Sequence, residues 1–196
     1  MSYAFVVSAC SKYLPELAAL LNSLAFIGNR HDVHLSGYNL PAFFLEKLPS
    51  LPYPVIHHPI CELDAREFEG EGEILCRRRY YAAAVWGQDY EAVCILDADM
   101  FFVRGVDLFF EIAHKAQLIV GANLEQKRIY GEEPNQRVRN LQGEFDYLAP
   151  RFWNERDICC APVFADMRLY CSTFKRSWTL FSHDGFRAPD MEAINL

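Results

Sequence analysis

The sequence predicts an α/β protein, a three-layer αβα sandwich with a mostly parallel central sheet. Three observations predict this fold class. Short apolar runs alternate with helical patterns along the chain. One of the runs, 93–96, is apolar at every position, as in a strand that is covered on both faces. The composition, with 52% hydrophobic and 23% charged residues in a chain of 196, is that of one globular domain spanning 1–196.

The first part of the chain supplies the predicted elements in a regular order. An apolar run at 4–8 predicts the first strand, and 14–25 places its apolar residues on one helical face. Pro15 in the first turn and Gly28 after the last one fit the start and end of that helix. The next predicted elements are a strand at 33–36, a short helix at 41–48 and a third strand at 54–57.

The later part of the chain continues the alternation, with one long interruption. An alanine-rich stretch, 73–86, predicts a helix that ends at Gly87, before the central strand at 93–96. Residues 124–155 are polar and predict a long loop or insertion, a kind of segment that is usually functional or disordered. The remaining predicted elements are a helix at 106–114, strands at 118–120 and 159–164, a helix from a capping Asp166 to about 181, and a last short helix from Pro189.

Charge and cysteine usage narrow the classes of function. The net charge of −7 argues against a nucleic-acid binder, because such proteins carry a basic face. No run approaches the roughly 18 apolar residues of a membrane span, and 1–7 lacks the pattern of a secretory signal. Seven cysteines without zinc-binding spacing are typical of buried free thiols, so we expect a cytoplasmic protein.

Two carboxylates directly follow the predicted central strand. Alternation along a strand predicts that Asp97 and Asp99 share a face and that Ala98 points away from it. Open α/β sheets bind ligands at the carboxyl ends of their strands. Two adjacent carboxylates repel each other, and Mn²⁺ or Mg²⁺ would relieve that repulsion and could neutralise a diphosphate. The open alternative is a loop in which Asp97 caps a turn and Asp99 faces water.

The segment 90–103, which contains Asp97-Ala98-Asp99, resembles the DxD segment of glycosyltransferases with the GT-A (nucleotide-diphosphosugar transferase) fold. The resemblance is to the glycogenin-like and bacterial lipopolysaccharide-galactosyltransferase-like branch. It implies a divalent-metal-dependent hexosyltransferase with a nucleotide-diphosphosugar donor, a UDP-sugar being expected, and an unknown acceptor, whether saccharide, lipid-linked glycan or protein. Other stretches agree in order and approximate spacing, namely 6–10 with the following helix, the arginine-bearing helix before the DxD strand, 158–164 and 190–195.

The resemblance also implies roles for residues around the DxD motif. Asp99 would bind the metal directly, and Asp97 would bind the metal or the donor ribose, with Ala98 between them in the donor-binding segment. The end of the first strand would contact the base through backbone and hydroxyl groups, a role that falls to Ser8, Ala9 and Cys10. A generic strand terminus is the alternative for these three residues.

Two further candidates belong to the arginine-bearing helix and to the 190–195 stretch. Arg79, by its spacing to the DxD motif, is the member of the 77–79 arginine run expected to bind diphosphate oxygens bidentately. A solvated helix face is the alternative. Asp190 is expected on the sugar side, as a catalytic residue that orients an acceptor hydroxyl or binds the sugar. It could equally satisfy N–H groups in the first turn of a helix.

The chain also departs from the family pattern. Cys-Ala-Pro stands at 160–162 where the family has Asn-Ser/Ala-Gly, and Met191 replaces the usual Gln. Family members continue for several dozen residues and supply a metal-binding His there. Three alternatives stay open: the third protein ligand is absent, another His substitutes for it, or the chain is a fragment or a C-terminally short version of the fold. Two other functions stay open. One is a non-catalytic nucleotide-sugar-binding protein of the same fold, and the other is a metal-dependent phosphohydrolase of the Asp-x-Asp type.

Two histidines and one tryptophan are predicted to have structural rather than functional roles. His57 and His58, next to Pro59, are interpreted as a polar loop after the third strand. Trp86 is interpreted as a core or lid aromatic rather than a sugar platform.

Overall fold

The computed structural model describes residues 2–60, 83, 86–117, 119–120 and 162–171. Within these ranges, six strands form one sheet in the order β3-β2-β1-β4-β6-β5. They are β1 (Tyr3–Cys10), β2 (Asp32–Tyr38), β3 (Val55–Pro59), β4 (Ala92–Leu96), β5 (Ile119–Val120) and β6 (Val163–Asp166). β1 pairs in parallel with β2 and β4, and β2 with β3, whereas β6 runs antiparallel between β4 and β5. The mostly parallel sheet is confirmed, and the 93–96 run forms its interior strand β4.

The helices begin and end where the local sequence allows. They are α1 (Leu14–Phe26), α2 (Ala42–Leu45) and α3 (Asp107–Ala116), with 3₁₀ turns at Ser11–Tyr13 and Leu48–Ser50. Pro15 lies in the first turn of α1, where its missing N–H breaks no hydrogen bond. Gly28 follows α1 with φ +74°, a left-handed conformation that glycine adopts without steric penalty. Residues 83, 86 and 167–171 are also helical.

Side chains from the helices cover both faces of the sheet. On one face, α1, α2 and α3 contribute Leu20, Phe44 and Phe110 to a core with alternate residues of the strands, including Phe5. On the other face, Ala83, Met167 and Tyr170 pack against Val6 and Ile95. Every residue of β1 and β4 is buried, as expected of strands between two layers. The three-layer αβα sandwich is confirmed.

Asp166 begins the last described helix as predicted. Its Oδ1 accepts hydrogen bonds from the backbone N–H groups of Arg168 and Leu169 at 3.1 and 3.0 Å, which is the geometry of an N-cap. Its Oδ2 lies 3.1 Å from Nδ1 of His114, so the same buried side chain also contacts α3. Within the described residues, no helix is both long and apolar enough to cross a membrane.

One element assignment from the sequence is wrong. β3 continues to Pro59, so His57 and His58 lie inside the strand rather than in a loop after it. The polar segment 124–155, the start of the 158–164 stretch and the helix expected from Pro189 lie outside the described residues.

Candidate functional site

The carboxyl ends of four strands meet at one edge of the sheet. The strands β1, β2, β3 and β4 are mutually parallel, so all four end at the same edge of the sheet. The pairing of Val7 with Leu96 places Ser8 level with Asp97, the first residue after β4. Ser8 pairs with Ser36, and Ser36 pairs with His58. Near its rim the sheet therefore carries a polar row, which we define as Ser8, Ser36 and His58, with Asp97 level with its β1 end.

The Asp97-Ala98-Asp99 segment forms a turn at this rim. β4 ends at Leu96, and the N–H of Met100 lies 3.4 Å from the carbonyl oxygen of Asp97 across the turn. The argument from strand alternation is therefore wrong for this segment, because the strand has ended before Asp97. Ala98 is nevertheless buried in the core of the helix-covered face, while Asp97 is partly exposed and Asp99 is exposed. The two carboxylates therefore lie on either side of the buried Ala98 at the rim of the sheet.

The end of β1 presents one hydroxyl and two buried side chains. Ser8 is 6% exposed, and its Oγ has no hydrogen-bond partner in the described part of the chain. Ser36 Oγ is in the same condition. Ala9 and Cys10 are buried, so a ligand at this rim would meet their backbone before their side chains. Base contact by Ser8, Ala9 and Cys10 stays a prediction.

The donor set at the turn suits a hard divalent cation. Carboxylate oxygens are the protein ligands that Mg²⁺ and Mn²⁺ prefer. In the ranges that the structure describes, no three His, Cys, Asp or Glu side chains form a group that could hold a metal ion. A Mg²⁺ ion commonly takes only one or two carboxylates and completes its shell with substrate phosphates and water. Asp97 and Asp99 therefore fit a cation that is bound together with a diphosphate.

Two predicted site residues lie outside the described residues. They are Arg79 and Asp190. Their roles at the diphosphate and at the sugar stay predictions.

A second polar cluster lies on the β2 and β3 side of the sheet. The Tyr90 hydroxyl donates to Oδ2 of Asp32 at 2.6 Å, and its oxygen lies 3.0 Å from Nε2 of His34. Nδ1 of His34 in turn lies 3.0 Å from Nε2 of His58. The indole of Trp86 stacks on the His58 ring, with ring centroids 3.6 Å apart and an interplanar angle of 9°.

Sequence reasoning missed this cluster. Polar residues at 32, 34 and 36 alternate with the buried apolar Val33 and Leu35, which is the signal of a strand with one polar interior face. That signal identifies the polar face of β2. It does not say that His58 and Tyr90, which are distant in sequence, would meet it.

Burial changes the ionisation of the cluster. Burial lowers the pKa of His34, although the charge of Asp32 opposes that effect. Burial, with smaller effects from His34 and His57, lowers the pKa of His58 to about 4. Burial also raises the pKa of Tyr90, and its hydrogen bond to Asp32 adds to that effect. At neutral pH both imidazoles are neutral and Tyr90 keeps its proton.

Comparison with known proteins identifies the fold from structure alone. No protein-family model matches the sequence, and no curated protein matches it. A solved structure of the bifunctional glycosyltransferase WbbM aligns with 100% of this chain and 36% of its own, at a TM-score of 0.68 and 12% identity. The galactosyltransferase LgtC, in complex with donor and acceptor sugar analogues, aligns with 98% of this chain and 69% of its own, at a TM-score of 0.62 and 11% identity.

A third similar structure comes from a fungus. Core-mannan synthase A of Aspergillus fumigatus, in its Mn/GDP form, aligns with 100% of this chain and 69% of its own, at a TM-score of 0.58 and 11% identity. This chain thus spans about a third of the length of WbbM and about two thirds of the length of the other two. The fold predicted from the DxD segment is confirmed, and the chain has the GT-A fold of nucleotide-diphosphosugar glycosyltransferases.

Proposed function

We propose that this protein is a metal-dependent glycosyltransferase that moves a sugar from a nucleotide-diphosphosugar, a UDP-sugar in our expectation, to an acceptor. The observation that supports the proposal best is the place of the Asp97-Ala98-Asp99 turn. It directly follows the interior strand of a GT-A fold, at the edge where parallel strands end. Ligands of open α/β sheets bind at this edge.

The carboxylates would supply the cation's protein ligands. Asp99 is exposed and would bind Mn²⁺ or Mg²⁺ directly, while the partly exposed Asp97 would bind the cation or the donor ribose. A bound cation would stabilise the negative charge that develops on the departing nucleoside diphosphate. Without a cation, the negative charges of the two carboxylates at the rim would repel the diphosphate. The protein's net charge of −7 would add to that repulsion.

The β1 end of the polar row would orient the nucleoside. Ser8 lies level with Asp97 and has a buried hydroxyl that lacks a partner among the described residues. A donor base could pair with that hydroxyl and with backbone groups of Ala9 and Cys10. Arg79 would bind diphosphate oxygens, and Asp190 would lie on the sugar side, as the resemblance implies.

The proposal is tested with a matched pair of carboxylate variants. Asp99→Asn removes a ligand at the rim, whereas Asp89→Asn changes an exposed carboxylate in the turn before β4, at the opposite end of the same strand. Release of UDP from a panel of UDP-sugars is measured with Mn²⁺ and with EDTA. We expect Asp99→Asn to lower the rate by about 100-fold, the usual effect of losing one charge-stabilising group, and Asp89→Asn to leave it unchanged.

Calorimetry with UDP separates catalysis from binding alone. Tight, Mn²⁺-dependent binding without UDP release from any UDP-sugar would favour the non-catalytic alternative. The metal role is wrong if wild-type activity survives EDTA and Asp99→Asn equals the wild type. Release of inorganic phosphate from an aryl phosphate, without UDP binding, would support the phosphohydrolase instead.

A further inference from the structure

The hydrogen bonds around His34 fix where its protons lie. A carboxylate accepts hydrogen bonds and donates none, so the single proton of the Tyr90 hydroxyl is used in the 2.6 Å bond to Asp32. The Tyr90 oxygen must then accept the N–H of His34 Nε2. A neutral His34 has a bare Nδ1, which accepts the N–H of His58 Nε2. Burial keeps both imidazoles neutral at neutral pH, so both are Nε2–H tautomers there.

The pair tolerates one extra proton but not two. A proton added to Nδ1 of His58 leaves its Nε2–H donor in place, and the bond to His34 survives. A second proton on Nδ1 of His34 would point two N–H groups at each other across 3.0 Å. Two imidazolium cations would also stand side by side, one of them on the 6% exposed His34, where water screens their repulsion poorly.

The position of Trp86 depends on this pair. Its indole lies flat on His58 at 3.6 Å and nearly parallel to His34, at a centroid distance of 6.2 Å and an angle of 13°. Trp86 is a helical residue directly before Gly87. Its ring therefore connects a helix that covers the sheet with the histidines of β2 and β3. Loss of the bond between the imidazoles would free the ring on which Trp86 stacks.

We propose that His34 and His58 form an acid-operated latch. The latch holds Trp86 against β2 and β3 while the pair carries at most one extra proton, and it releases Trp86 when both imidazoles are protonated. This role is separate from the proposed transferase activity and does not depend on it.

The charged and titratable neighbours set the pH range. In the part of the chain that the structure describes, Asp32 faces His34 from β2, His57 lies beside His58 on β3, and Tyr90 and Asp89 belong to the turn before β4. Asp32 favours a proton on His34, and His57 opposes one on His58. Because burial lowers the pKa of both imidazoles and each opposes a proton on the other, the latch is closed at and above 6.5, the ordinary histidine pKa, and opens only at about pH 4 and below, where the pair takes its second proton.

Trp86 fluorescence and histidine NMR test the latch. The chain has three tryptophans, so Trp153→Phe with Trp178→Phe leaves Trp86 as the sole reporter. As the pH falls from 6.5 to about 4 and below, we expect the Trp86 emission to move to longer wavelength while the far-ultraviolet circular dichroism is retained. Over the same range, NMR of the imidazole nitrogens should show His34 and His58 pass from Nε2–H tautomers to the doubly protonated form.

Two histidine variants identify the responsible group. His34→Gln retains the stack of His58 on Trp86 but removes one of the two titrating sites, so the acid change in emission should be lost. His31→Gln is the control, because His31 lies directly before β2 and pairs with Asp107 instead.

The latch is disproved if the emission stays constant in acid, or if His34→Gln keeps the transition. Should His34→Gln fail to fold, NMR of the imidazole nitrogens in the unmodified protein decides whether the latch exists. An Nδ1–H tautomer on either imidazole at neutral pH, or a Trp86 change without protonation of both, overturns the proposal.

Discussion

At the scale of single residues, the two serines of the polar row are buried, and their hydroxyls have no hydrogen-bond partner among the described residues. Ser36 is fully buried, and its Oγ has no hydrogen-bond partner within the described ranges. Ser23, by contrast, donates to the carbonyl of Leu20 at 2.7 Å and accepts the N–H of Phe102 at 2.9 Å. A buried hydroxyl without a partner lowers stability, because it loses water and gains nothing in exchange.

The same substitution should therefore have opposite effects at these two positions. Ser36→Ala removes an unsatisfied group, and we expect it to raise the free energy of unfolding by about 1 kcal/mol. Ser23→Ala removes two hydrogen bonds and leaves the N–H of Phe102 unpaired, so it should lower that free energy by about 1–3 kcal/mol. Urea denaturation measures both. Equal effects of the two variants would show that Ser36 Oγ has a partner in the folded protein.

At the scale of elements, the junction between the Trp86 helix and β4 depends on a glycine. A Cβ at Gly87 would collide with the carbonyl oxygen of Ala83 and would lie 2.8 Å from Cγ1 of Val93 and 2.9 Å from Cε of Met167. The sequence predicts Gly87 as the end of a helix, and its N–H indeed bonds to Ala83. The structure adds a second reason for glycine, which is close packing between that helix, β4 and the helical segment at 167–171.

Gly87→Ala should destabilise the protein, by about 1–3 kcal/mol, the usual cost of overpacking a core. Gly105→Ala is the matched control, because a Cβ there meets nothing within 4 Å. Thermal unfolding followed by circular dichroism compares the two. A melting temperature of Gly87→Ala equal to that of Gly105→Ala would mean that the junction adjusts without cost.

The sequence predicts elements better than it predicts the contacts between them. β4, α1 and the capping Asp166 follow from apolar periodicity, Pro15, Gly28 and the capping preference of Asp, which are all local signals. The position of Asp97 at the rim also follows from a local signal, because the apolar run that forms β4 ends at Leu96. The cluster of His34, His58 and Tyr90 does not, because it depends on the register of β2 against β3 and on a turn more than 50 residues away.

At the scale of the whole molecule, the buried imidazoles make stability depend on pH. Burial lowers the pKa of His34, His57 and His58 in the folded protein below 6.5. Below 6.5 the unfolded chain binds protons that the folded protein does not, so stability falls as the pH falls, until the folded-state pKa values are reached. The contribution of these neutral imidazoles is fully present above 6.5.

We expect the urea midpoint to be constant from about pH 7 to 8 and to fall steadily as the pH decreases from 6.5 toward about 4. His58→Gln removes one of the titrating groups and should make that decline shallower. His31→Gln serves as the control for a histidine whose ring pairs with an exposed carboxylate. A midpoint that rises on acidification would contradict the assignment of neutral buried imidazoles.

The reversed direction of β6 has a consequence for the rim. Because β6 opposes β4, its pairing of Val163 with Ile95 brings Pro162 level with the last residue of β4, immediately before Asp97. Pro162, from late in the sequence, thereby lies at the rim where the other described residues of the candidate site, all within the first hundred, are found. A substitution of Pro162 can therefore alter what reaches the Asp97 turn while the strands beneath it stay as they are.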